Sequence, residues 1–229
     1  IKLACKITDQ AFNYILEKIK IGISEKEVAN LIERFIKEKN GEISFKTIVA
    51  FGKNSAIPHH QTGNLKLTKD QIILLDFGVK INNYCSDMTR TIYFGKAPEK
   101  FKLMHETVLA AQTKTIQFLK SSILNLPAGK AGHKSINGKQ IDKASRDYII
   151  KQKYPSIPHS IGHGIGVAVH ETPFISPNSK DIIKNNMIFS VEPGIYFPDY
   201  GGVRIEDLVL VRNGKAELIS QSNREIIEL

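Results

Sequence analysis

At 229 residues, with 41% hydrophobic and 24% charged side chains, the chain has the make-up of a globular protein with one sizeable core or at most two small ones. Its net charge of +9 sits on scattered lysines such as Lys2, Lys53, Lys114 and Lys184, with no dense basic tract, so no nucleic-acid partner is expected. Only Cys5 and Cys85 occur, which argues against a disulfide framework or cysteine-based zinc; with no membrane-length apolar run and no signal peptide apparent, no membrane is expected and the cytoplasm is the expected compartment.

In chain order, Thr8 to Ile19 has helical spacing, with Phe12, Ile15, Leu16 and Ile19 on one face and Gly22 beyond its end. Ser24-Glu25-Lys26-Glu27 is a capping box, in which the Ser oxygen accepts from the Glu27 N–H and Glu27 reaches back. The helix it opens turns Val28, Leu31, Ile32, Phe35 and Ile36 inward and stops near Asn40-Gly41. A strand is predicted over Phe45 to Phe51, and a polar loop over Gly52 to Thr62 that contains Ile57-Pro58-His59-His60.

Gln71 to Leu75 is apolar and β-branched enough for a buried strand, and Tyr84 to Phe94 is rich in Thr, Tyr, Ile and Phe. Joined through Asn82-Asn83, the two runs read as a β-hairpin. A loop symmetric about that pair sets Ile81 opposite Tyr84, Gly78 opposite Asp87 and Asp76 opposite Thr89. Asp76 and Asp87 are then diagonal neighbours on one face, roughly 7–8 Å apart at the backbone. A slip of one residue would put them on opposite faces. Unpaired buried carboxylates side by side are costly, and a cation between them is one answer; from the hairpin alone the more ordinary reading is one exposed aspartate and one turn or salt-bridge aspartate.

Pro98 opens a long helix lined by Phe101, Met104, Val108, Ala111, Thr115 and Leu119. Ser121 to Ser135, with Pro127, Gly129 and Gly132, reads as a loop, and Asn137-Gly138-Lys139-Gln140 as a second capping signal. Both capped helices lead on to Ile-Pro-His, at Ile57 and at Ile157, a weak internal echo. Asn186 to Glu192 is strand-like up to Pro193-Gly194, Phe197 to Gly202 is turn-rich, and Val203 to Arg212 alternates. That alternation puts Arg204 and Glu206 on one face and Asp207 on the other.

Gly162-His163-Gly164-Ile165-Gly166, Val191-Glu192-Pro193-Gly194 and Arg204-Ile205-Glu206-Asp207 therefore join the two aspartates as candidate chemistry. Singly, each has an ordinary structural reading. Together and in this order they resemble metallopeptidase family M24, which includes methionine aminopeptidases, aminopeptidase P and prolidases. The resemblance runs from the first helix to Leu210. It implies an α+β fold of the pita-bread (creatinase/aminopeptidase-like) type, with curved antiparallel sheet and helices on the outer face. It implies one catalytic domain over residues 1–229, without the N-terminal domain of proline-specific members.

The resemblance also implies two divalent metal ions with a water or hydroxide between them. Residues matching Asp76, Asp87 and Glu206 bind one ion; those matching Asp87, Glu206, His163 and Glu192 bind the other. Oxygen and imidazole donors without thiolate suit Mn(II) or Co(II), with Zn(II) also compatible. Glu192 matches the proton shuttle, and His59, His159 and His170 match positions that bind substrate or stabilise the tetrahedral intermediate. His60, His105 and His133 are read as core or surface histidines. Gly201-Gly202-Val203-Arg204-Ile205-Glu206-Asp207 and the extra His159 resemble the proline-specific branch, so the expected substrate is a peptide with proline second, and a homodimer is compatible. Arg204 is expected beside the metals, holding Glu206 by a charge-assisted hydrogen bond. The competing readings are a methionine aminopeptidase and a non-catalytic binding module on the same fold.

Overall fold

Among the described residues, two capping boxes start two of the four α-helices. The computed structural model describes residues 1–124 and 136–229. Helix α1 (Lys2–Leu16) begins before the expected Thr8, because Ala4 and Ile7 extend the buried stripe of Ala11, Phe12 and Ile15. Helix α2 (Glu25–Glu38) is capped by Ser24: the Glu27 N–H donates to Ser24 Oγ at 3.2 Å and the Ser24 N–H to Glu27 Oε2 at 2.8 Å. A short β1 (Glu42–Ile43) precedes β2 (Ile48–Phe51), so the strand expected from Phe45 is shorter than its sequence suggests.

The hairpin keeps its predicted register but not its continuity. Its first arm is β3 (Gln71–Phe77) and β4 (Val79–Ile81), and its second is β5 (Tyr84–Cys85) and β6 (Met88–Phe94). Ile81 pairs with Tyr84 and Asp76 with Thr89, as symmetry about Asn82-Asn83 requires. Both asparagines take positive φ, 50° and 67°, which Asn tolerates in a tight hairpin turn. Between the arms the ladder breaks. Ser86 Oγ accepts the Val79 N–H at 2.9 Å, and a Cβ on Gly78 would lie 1.9 Å from the Ser86 carbonyl oxygen. Glycine is therefore required where the arms cross.

Helix α3 (Glu99–Leu124) buries its whole predicted stripe from Phe101 to Leu119. Ser121 to Leu124, expected as loop, is helical; the rest of that loop and His133 lie outside the described residues. Asn137 caps α4 (Gly138–Lys151) through a second capping box with Gln140, at 3.0 Å in both directions. The remaining strands are β7 (Gly162–Gly164), β8 (Glu171–Ile175), β9 (Ile188–Val191), β10 (Gly194–Phe197), β11 (Gly201–Arg204), β12 (Asp207–Arg212) and β13 (Lys215–Leu218). The turn-rich Phe197 to Gly202 is the tip of the β10–β11 hairpin.

Val203 to Arg212, read as one strand, is two strands in different sheets. Gly194 pairs with Arg204 and Val191 with Asp207, one continuous antiparallel register. That register sets Pro193 opposite Ile205 and Glu192 opposite Glu206. Proline has no N–H to give, so the ladder breaks there. Opposed residues share a face, so both glutamates project to the same side.

The strands form sheets of order β1-β4-β5, β2-β3-β6, β10-β11 and β13-β12-β9-β7-β8, antiparallel in every pairing. Helices α1 and α2 pack Phe12 and Ile32 against Phe51, Ile73 and Leu75. Helices α3 and α4 pack Met104 and Ile149 among Phe189, Val191 and Val209. The two assemblies meet where the Glu206 N–H donates to the Thr89 carbonyl at 3.1 Å, joining β6 to the break before β12. The site lies along this seam.

Candidate metal centre

A cleft of about 400 Å³ opens at the seam, and Asp76, Asp87, His163, Glu192, Arg204 and Glu206 all line it. Asp76 comes from β3, Asp87 from the crossing before β6, His163 from the middle of β7, and the glutamates from facing sides of the Pro193 break. Close strand approach makes this convergence. A Cβ on Gly162 would lie 2.0 Å from the Ser190 carbonyl oxygen, so glycine there lets β7 sit against β9 and aims His163 at the cleft.

One ligand atom each from Asp87, His163 and Glu206 lies within 4.8 Å of the others, and all three residues are buried. His163 Nδ1 lies 3.1 Å from the Gly164 carbonyl, to which it donates, leaving Nε2 as the ring's lone-pair donor. Nε2 stands 3.5 Å from both Asp87 Oδ2 and Glu192 Oε1. Ser190 Oγ donates to Glu192 Oε1 at 3.2 Å and Thr89 Oγ1 to Glu206 Oε2 at 2.7 Å. One oxygen of each of three carboxylates, Asp76 Oδ1, Asp87 Oδ1 and Glu206 Oε1, is buried with no hydrogen-bond partner. Orphaned carboxylate oxygens sharing one cleft with an imidazole nitrogen that a metal can take in place of its proton are what a divalent cation site requires, so the residues present fit the metals.

The electrostatics agree. Burial, then repulsion from Asp87, Glu192 and Asp76, holds the Glu206 carboxyl well above the usual carboxylate range. Burial likewise raises Glu192, against the pull of His163 and Arg204. Asp76 rises from its ordinary 3.8 to about 7, because burial outweighs Arg204. For His163 burial works against the charge, but Asp87 and Glu192 outweigh it and take the ring from 6.5 to about 9.

These two shifts have one sign for stability without metal. The Asp76 contribution is complete below about pH 3.8 and is lost as pH rises through about 7; the His163 contribution is complete below about pH 6.5 and is lost through about 9. The metal-free chain is therefore expected to melt at a lower temperature at about pH 8 than at about pH 5, and Mn(II) to close the gap by replacing the lost protons. Melting curves with and without chelator check this, and a metal-free melting temperature that climbs over that range would contradict it.

Arg204 is buried in the cleft wall but does not touch Glu206, contrary to the expectation from strand alternation. Its Nη2 donates to Asp76 Oδ2 at 2.5 Å, its Nε to Thr89 Oγ1 at 3.0 Å and its Nη1 to Tyr196 Oη at 3.1 Å and the Pro58 carbonyl at 3.3 Å. Thr89, which accepts from Arg204 and donates to Glu206, is the link between them. The reason is register: Thr89 sits opposite Asp76, between the arginine and the glutamate.

Tyr196 carried no sequence signal, yet its hydroxyl also meets His159 Nε2 at 2.8 Å. Burial lifts this phenol to about 12, so it remains protonated. Burial, then Arg204, lowers His159 to about 4 and keeps it neutral. His59 and His170 line the same cleft, the His170 ring edge-on to His163 with centroids 4.3 Å apart. The sequence echo is thus spatial as well: each capped helix leads to a histidine, His59 or His159, on one cleft. His105 is a core histidine beside Phe101, as expected. His60 lies next to the cleft loop, with Nε2 2.9 Å from Glu25 Oε2. Glu25 also accepts from the Phe51 and Gly63 N–H groups, tying down both ends of the loop that carries His59.

Residues 1–213 match the metallopeptidase family M24. The chain belongs to this family. It is 36% identical over 229 residues to the Xaa-Pro dipeptidase of Pyrococcus furiosus, a match covering 99% of this chain and 62% of that protein. Among solved structures, the Xaa-Pro dipeptidase from Bacillus anthracis matches with a TM-score of 0.89 at 38% identity, over 100% of this chain and 61% of the other. The X-Pro aminopeptidase from Thermotoga maritima matches with a TM-score of 0.90 at 34% identity, over 100% of this chain and 62% of the other. The M24 chain thus has the α+β pita-bread fold and spans about six-tenths of the length of these relatives. Among the described residues no helix is long and apolar enough to cross a membrane.

Proposed function

We propose that this M24 chain carries the catalytic site of a metal-dependent exopeptidase that cleaves Xaa-Pro bonds at peptide N-termini or in Xaa-Pro dipeptides. The observation that carries the reading is the set of partnerless carboxylate oxygens on Asp76, Asp87 and Glu206 facing one cleft with His163. Asp76, Asp87 and Glu206 would hold one ion, and Asp87, Glu206, His163 and Glu192 the second. When bound, such ions supply Lewis acidity and a water that ionises near neutral pH.

The chain's own groups do the rest. Glu192, a carboxyl made more basic by burial, takes and returns a proton, while the Ser190 hydrogen bond to Oε1 fixes its orientation. His163 keeps its tautomer through Gly164. Neutral His170, with His59, offers ring nitrogens to the carbonyl and termini of a bound peptide, while His159, whose Nε2 meets Tyr196 Oη and whose Nδ1 donates to the Ser160 carbonyl, lines the same cleft. Phe45, Ile48, Val169 and Phe174 give the cleft the apolar wall against which a prolyl ring packs.

Assay of Ala-Pro-Ala and Ala-Pro against Met-Ala-Ser under saturating Mn(II), with elemental analysis of the purified chain, tests the reading. Cleavage of the proline peptides alone is expected. Cleavage confined to Met-Ala-Ser would make this a methionine aminopeptidase, and absence of both metal uptake and cleavage would leave a binding module.

A further inference from the structure

We infer that Gln112, on α3 behind the sheet, is a positioning residue for the two glutamates, an inference that rests on the metal-site reading above. Gln112 lies on the buried side of the helix, one turn beyond Val108, and is fully buried. Its Nε2 lies 3.1 Å from the Val191 carbonyl, 3.2 Å from the Ile205 carbonyl and 2.9 Å from Asp207 Oδ2. Val191 precedes Glu192 and Ile205 precedes Glu206, so one amide group grips the backbone immediately before both glutamates.

The reason for a side chain there is the break in the ladder. Pro193 faces Ile205 and has no N–H, so the Ile205 carbonyl lacks the donor that an ordinary antiparallel pair would supply. Gln112 supplies it from the helix and couples the two sides of the gap at the point where both ligands project. The other groups complete the cradle. Asp207 accepts from Gln112 through Oδ2 and from Arg90 through Oδ1 at 2.6 Å, while Arg90 Nη1 donates to the Glu206 carbonyl at 2.6 Å. Arg224 Nη1 donates to Gln112 Oε1 at 3.2 Å, which sets which end of the amide faces the gap. Partners that orient metal ligands without touching the ion commonly matter about 10–100-fold to affinity or turnover.

Gln112→Met preserves the volume and removes both donors. Calorimetric titration of the metal-free chains with Mn(II), and kcat and KM at saturating Mn(II), are the measurements. Gln112→Met is expected to weaken Mn(II) binding about 10-fold or more and to lower kcat with little change in KM, because the substrate wall is untouched. A variant that only melts earlier, with wild-type Mn(II) affinity and kcat, would overturn the inference. Should Gln112→Met not fold, Arg224→Met leaves the amide present but unoriented. It is expected to weaken Mn(II) binding about 2–10-fold, the worth of one hydrogen bond, and wild-type affinity there would equally overturn it. A wild-type chain that takes up no Mn(II) would instead overturn the metal-site reading itself.

Discussion

Glu206→Gln is expected to abolish the rise in melting temperature that Mn(II) gives the wild-type chain. A ligand that binds only the folded state, supplied at about a hundred times its Kd, stabilises by about 2.7 kcal/mol. For a domain of this size that is a rise of about 5–10 °C. Glu206 belongs to the close group of Asp87, His163 and Glu206 and brings an orphaned oxygen to it, so an amide in its place removes a charged group proposed as a shared ligand. Turnover should fall at least about 100–1000-fold. Stability without metal should not fall. The glutamine carbonyl can keep the Thr89 bond, and the amide N–H₂ faces Asp87 where a repelling carboxyl stood. The pairing of an unchanged metal-free melting temperature with a lost Mn(II) response separates loss of ligand from loss of fold. A full Mn(II) response in Glu206→Gln would show that the ion is held elsewhere.

Arg204→Ala is expected to cost both stability and turnover. The guanidinium is buried and is the charged partner of Asp76, and removing one member of a buried pair commonly costs about 3–5 kcal/mol. That corresponds to a melting temperature lower by about 6–20 °C. The chain still folds, because the apolar packing of Ile73, Leu75, Ile92 and Val203 on β3, β6 and β11 is untouched. Activity or metal affinity should drop about 10–100-fold, since Asp76 and, through Thr89, Glu206 lose what orients them. Arg204→Lys should recover only part: a point charge reaches Asp76 but cannot also hold Thr89 and Tyr196. Assay with an Xaa-Pro peptide at limiting and saturating Mn(II), beside melting curves, is the measurement. Wild-type turnover at limiting metal in Arg204→Ala would reduce this arginine to a structural ion pair.

Features with local causes were legible in the sequence itself. The capping boxes at Ser24 and Asn137 need only side chains three residues apart, and the stripe from Phe101 to Leu119 needs only helical period. The Asp76–Thr89 register follows from a symmetric Asn82-Asn83 turn and a side-chain period of two, and it carried two of the proposed ligands to one face. Pro193 was visible as a strand end, and the proposed ligands could be nominated because each stands in a short motif. Tertiary structure decided the rest. Gly78 and Pro193 break strands that period alone extends, because close crossing and a missing N–H act between chains, not along one. Arg204 and its partner Asp76 are 128 residues apart in sequence. Alternation could say which way Arg204 points, but only the meeting of β6 with β11 decides that Thr89 stands between it and Glu206. Tyr196, Gln112 and Arg90 left no motif, because each acts through a carbonyl or hydroxyl that folding alone brings within reach.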